Sequence, residues 1–127
     1  MASRLVRDWP RYVRSSVDAI TGGNVSPEMH AFLCQVMQAT SPSLARKTLL
    51  EVAQTDPLGF AREVVAPALI LHGEEDQISP VAIASSLKEA MPEAILKTYP
   101  GTGHAPFLEK RDETIADIRQ FLEQLDV

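Results

Sequence analysis

The chain has 127 residues, of which 45% are hydrophobic and 23% charged, and its formal net charge is −5. That size and balance suit one globular domain and exclude a disordered chain. The acidic charge and the lack of a basic stripe exclude an ordinary nucleic-acid binder, and no apolar run approaches the ~20 residues of a membrane span. The opening MASRLVRDWPRY lacks the continuous apolar core of a secretion signal, and the single cysteine, Cys34, rules out an internal disulfide framework; both fit a reducing cytoplasmic setting.

The first segment reads as helical. Leu5, Val6, Trp9, Tyr12, Val13 and Val17 recur at helical spacing, with Pro10 as a possible kink, until TGGN breaks the pattern. A second helix is predicted to start at Ser26, with Pro27 in its first turn and Glu28 at its positive end. Met29, Phe32, Leu33, Val36 and Met37 would form its apolar face, leaving His30 exposed and Cys34 a small buried hydrophobe. Ser41 and Pro42 repeat the capping device for a third helix, and DPLGFAREV predicts a short helical stretch.

The pattern changes at Pro67. PALILHG is a short continuous apolar run between Pro and Gly, the pattern of a strand buried on both faces in a parallel sheet. Residues 79–91 predict a helix capped by Ser79, with Val81, Ala84 and Leu87 toward the sheet. EAILKTYP predicts a second strand and GTGHAP a loop. RDETIADIRQFLEQL predicts a closing helix with Ile115, Ile118, Leu122 and Leu125 on its inner face. Residues 67–125 therefore read as strand–helix–strand–helix, an α/β unit with two parallel strands.

Chemistry in such sheets gathers beyond the carboxyl ends of the strands. One such end carries Glu74, Glu75 and Asp76, and the other carries His104 between Gly103 and Ala105. Adjacent parallel strands bring both loops to one rim, where an acid can orient an imidazole that moves protons. Glu74 and Glu75 read as solvated loop acids and His72 as a packing residue at the strand end. The histidines and the cysteine lack the paired spacing of a metal site.

Taken together, PALILHGEEDQISP and AILKTYPGTGHAPFLEKRDETIADIRQFL resemble the C-terminal part of the α/β-hydrolase superfamily. The resemblance implies that Asp76 is the triad acid and His104 the triad histidine, and it matches Glu109 to an acid found five residues after that histidine. It implies a partial α/β-hydrolase fold, with residues 1–60 as a helical lid and 61–127 as the C-terminal core segment. GHAPFLE and the short lid resemble the carboxylesterase branch, including pimeloyl-carrier-protein methyl ester esterases and enol-lactone hydrolases. The family's nucleophile sits on a Gly-x-Ser-x-Gly elbow, and no serine of this chain stands in that setting. The implied function is therefore the acid- and histidine-bearing part of a serine hydrolase for esters or lactones, with no metal or organic cofactor. The nucleophile would come from an N-terminal half outside the chain. The alternative is a non-catalytic interaction module with hydrolase ancestry, recruiting that half or a second copy of itself through open sheet edges. Val65, Leu69 and Leu71 are then expected to lack part of their covering.

Overall fold

The computed structural model describes residues 8–125, so Leu5 and Val6 of the expected first helix lie outside the described residues. The described chain runs α1 (Trp9–Thr21), α2 (Pro27–Gln38), α3 (Pro42–Val52), α4 (Pro57–Arg62), β1 (Leu69–Gly73), α5 (Val81–Ala90), β2 (Ile95–Tyr99), α6 (Pro106–Glu109) and α7 (Arg111–Glu123). It divides into two compact units. The first holds α1 up to Asp18 together with residues 25–56, and the second holds residues 19–24 together with everything from Pro57 onward.

In the helical unit, α1 runs unbroken through Pro10, which lies in its first turn, where a missing N–H costs nothing. Ser26 and Ser41 cap α2 and α3: their hydroxyl oxygens accept the N–H of Met29 and Leu44, each at 3.2 Å. The core is Val13, Val17 and Cys34, with Trp9, Leu33 and Met37 packed against it. This corrects the expected face of α2. Leu33 and Met37 turn inward with Cys34, whereas Met29, Phe32 and Val36 are exposed. His30, expected to be exposed, is half-buried on the inward side, its Nε2 2.9 Å from Asp18 Oδ1. The apolar set of α2 is wider than one face, and its sequence does not say which part meets α1.

In the α/β unit, β1 and β2 pair in parallel with Leu69 opposite Ile95 and Gly73 opposite Tyr99, and α5 makes the crossover and packs on both strands. The two expected strands are present and adjacent. As expected of Leu69 and Leu71, β1 lacks part of its covering: Leu69, Ile70 and Leu71 are half-buried rather than enclosed on both faces as the apolar run alone suggests, because β1 has one strand neighbour among the described residues. Val65 is 99% exposed. The unit's buried apolar residues are Ala61, Ala84, Ala94, Tyr99 and Ala105.

Two helical details also differ. Pro80, not Ser79, is the N-cap of α5, and it supplies no side-chain bond. The backbone of Ser79 is committed elsewhere: its N–H goes to Asp76 and its carbonyl to His72. On α7 the inward face is Thr114, Asp117 and Phe121, not the predicted isoleucines; Ile115, Ile118 and Leu122 are exposed. The reason is polar. Tyr99, buried at the end of β2, donates its hydroxyl to Asp117 Oδ2 at 2.8 Å, and Lys97 Nζ lies 3.2 Å from Asp117 Oδ1. This anchor sets the rotation of the helix.

Candidate active site

The site forms where β1 and β2 end. Beyond Gly73 the chain turns through Glu74, Glu75 and Asp76; beyond Tyr99 it turns through Pro100 to His104. The two loops are sewn together by backbone bonds, Glu74 N–H to the Tyr99 carbonyl at 3.1 Å and Glu75 N–H to the Thr102 carbonyl at 2.9 Å. Thr98 Oγ1 adds a bond to Glu74 Oε1 at 2.8 Å, so Glu74, expected to be merely solvated, ties the rim. Gly73 is required here. A Cβ at that position would collide with the carbonyl oxygens of Thr102 and Gly103.

Asp76 is buried and fully engaged. Its Oδ1 accepts the N–H groups of Ile78 at 2.8 Å and Ser79 at 2.9 Å, an Asx turn that leads into α5. Its Oδ2 accepts from His104 Nδ1 at 2.7 Å, a charge-assisted length. Burial pushes the carboxyl up, but the N–H of Ser79, the His104 ring and the N–H of Ile78 outweigh it and hold Asp76 below the usual carboxylate range. Asp76 therefore stays ionised at neutral pH although it is buried.

The acceptor on one side of His104 fixes its tautomer. A carboxylate cannot donate, so Nδ1 carries the proton and Nε2 keeps a lone pair. The ring is 41% exposed while the acid's side chain is only 2% exposed. An oriented base is thus presented to the surroundings by an acid withdrawn from them.

His72, expected to pack structurally, also reaches this cluster. Its Nε2 donates to the Ser79 carbonyl at 2.8 Å and lies 3.6 Å from Asp76 Oδ2. It braces the turn that holds the acid. Glu109 accepts the Gly103 N–H at 3.0 and 3.2 Å with its two oxygens, and its Oε2 also accepts from Asn24 Nδ2 at 2.9 Å. The part played by Asn24 was not legible in the sequence, where TGGN reads only as a helix breaker. Nothing local connects it to a glutamate so far along the chain. Among the described residues, no group of His, Cys, Asp and Glu is arranged to hold a metal ion, and no helix is long and apolar enough to cross a membrane.

The parallel strand pair with its crossover helix and closing helix forms a partial α/β-hydrolase fold, and solved structures share it. The fold matches a bromoperoxidase from Bacillus anthracis at TM-score 0.88 and 19% identity, over 95% of this chain and 46% of that one. It matches an esterase from Exiguobacterium antarcticum at TM-score 0.88 and 16% identity, over 96% of this chain and 46% of that one. More narrowly, the chain belongs to the α/β-hydrolase family described as TAP-like protein, whose profile matches residues 28–127. It is similar to a pimeloyl-[acyl-carrier protein] methyl ester esterase from Nitrosospira multiformis, 34% identical over 99 residues, covering 78% of this chain and 37% of that protein. A second esterase of that name, from Chromobacterium violaceum, is 28% identical over 94% of this chain and 57% of its own length. A non-heme chloroperoxidase from Burkholderia pyrrocinia is 38% identical over 61% of this chain and 27% of its own. The chain thus spans roughly a quarter to just over half the length of these curated relatives.

Proposed function

We propose that the chain supplies the acid and the histidine of a serine hydrolase acting on carboxylic esters or lactones. The observation that carries the reading is the 2.7 Å bond from His104 Nδ1 to the buried Asp76 carboxylate, with the ring itself half-exposed. In the complete site a serine from outside this chain attacks the acyl carbonyl. His104 Nε2 takes the serine proton and returns it to the departing alcohol, while Asp76 keeps the ring oriented and stabilises the imidazolium that forms. Water then repeats the cycle on the acyl-enzyme. We read residues 1–60 as the lid segment. The esterase names among the relatives support an ester substrate.

The test is complementation. The chain is co-expressed with the elbow-bearing N-terminal half of an esterase relative, and p-nitrophenyl butyrate hydrolysis is followed. Turnover is expected to be blocked by a serine-directed fluorophosphonate and to fall ~10⁴-fold in Asp76→Asn and at least as far in His104→Ala, as for other triads. Serine-dependent turnover that survives His104→Ala unchanged would overturn the reading.

A further inference from the structure

We infer that Asn24 and Glu109 form a clamp that positions His104, so that the turn ending α1 holds the histidine loop in register. The inference rests on the reading of His104 as the base.

The histidine follows Gly103, and Gly103 is held from two directions. Its N–H is taken by both carboxylate oxygens of Glu109. Its Cα faces the Gly22 backbone so closely that a Cβ on Gly103 would sit 2.9 Å from Gly22 N and 3.2 Å from Glu109 Oε1. Gly22 has φ +57°, a left-handed conformation that most residues avoid. A Cβ there would crowd Asn24 Nδ2 and Glu109 Oε2, each at 3.3 Å. Asn24 closes the arrangement. One amide nitrogen donates both to Glu109 Oε2 at 2.9 Å and to the Gly101 carbonyl at 3.3 Å.

Two consequences follow. Glu109 sits at the end of α6, a helix of one turn that begins right after Ala105. The loop is thus fixed at Gly101 and Gly103 before the histidine and by α6 after it, leaving His104 little freedom to swing from Asp76. Asn24 and Glu109 touch neither the ring nor the acid, so they are positioning residues. Their hydrogen-bond polarity is directional, with the amide donating and the carboxylate accepting, and it can therefore be reversed.

That reversal is the experiment. The His104 Nδ1–H resonance of the whole chain is followed by NMR, together with its solvent exchange and the exchange of the β1 and β2 amides. Asn24→Asp sets two carboxylates against each other and is expected to speed Nδ1–H exchange about tenfold, roughly the effect of losing 1.4 kcal/mol of holding energy. Adding Glu109→Gln makes residue 109 the donor and residue 24 the acceptor; it relieves the repulsion but does not remake the bond to the Gly101 carbonyl, so it is expected to restore part of the loss while the strand amides stay unchanged throughout. Exchange at His104 that is indifferent to Asn24→Asp, or a double variant no better than the single one, would overturn the clamp. So would parallel loss of protection at the strand amides, which marks a merely structural role. None of these outcomes depends on turnover, so a failed complementation assay with an intact rescue would overturn the hydrolase reading and leave the clamp standing.

Discussion

The rim where β1 and β2 end and the outer faces of α2 and α7 are built on opposite terms. At the rim, Asp76, His104, Glu74, His72 and Glu109 all have named partners, and two of these bonds, Thr98 to Glu74 and His104 to Asp76, join the β2 side to the β1 side. On the helices, Phe32, Val36, Ile115, Ile118 and Leu122 stand exposed with their apolar side chains outward. A buried polar group must find a partner or forgo about 1–3 kcal/mol, so Asp76, buried between the two loops, constrains the fold there tightly. An apolar residue on a helix is constrained only by what packs against it. The rim is therefore specified residue by residue, and the helix faces are not.

The sharpest break in that comparison is at the glycines. Gly73→Ala drives a methyl group into the Thr102 and Gly103 backbone and is expected to cost about 3 kcal/mol or prevent folding. Gly23→Ala meets nothing within 4 Å and carries only the strain of its φ of +77°, so about 1 kcal/mol is expected. Urea unfolding of the two variants checks the contrast. Equal costs would mean that the loops do not meet as closely as described.

The Tyr99–Asp117 anchor gives a smaller effect with a pH signature. Burial, reinforced by the Asp117 carboxylate, pushes the Tyr99 hydroxyl up to about 12. A group whose folded value is raised contributes fully below its unfolded value, ~10 for tyrosine, and loses that contribution as pH climbs through the folded one. Wild-type stability is thus expected to drop by about 2 kcal/mol between pH ~10 and ~12, and Tyr99→Phe to flatten that part of the curve. A variant with the same alkaline slope as the wild type would show that the Tyr99 hydroxyl is not the buried, raised group described.

The smallest effect lies on α7. Ile118→Glu, on the exposed face, is expected to change stability by no more than ~0.5 kcal/mol, whereas Thr114→Glu on the buried face costs ~2 kcal/mol or more. Thermal unfolding of the two variants distinguishes the observed face from the one the apolar spacing suggests. A reversed order would restore the isoleucines to the interior.

These contrasts also explain what was legible in the sequence. The strands, their parallel pairing and the placement of Asp76 and His104 at their ends could be read, because a short apolar run between Pro and Gly and a polar loop after it leave few alternatives. The caps at Ser26 and Ser41 were equally local. The face of α7 was not legible, because Tyr99, Lys97 and Asp117 settle it through contacts between elements. The Asn24–Glu109 bond was hidden for the same reason: it joins residues 85 positions apart. The half-burial of β1, which has one strand neighbour among the described residues, could be expected from the resemblance to part of a larger sheet, though not from the apolar run alone.

Asp76 fixes the His104 ring with its proton on Nδ1 and its lone pair on Nε2. Nitrogen-15 NMR of the neutral ring reads this directly. A protonated Nδ1 and an unprotonated Nε2 are expected in the wild type, with the preference lost in Asp76→Asn, whose amide can donate as well as accept. A wild-type ring protonated on Nε2, or a tautomer ratio unchanged by Asp76→Asn, would contradict it.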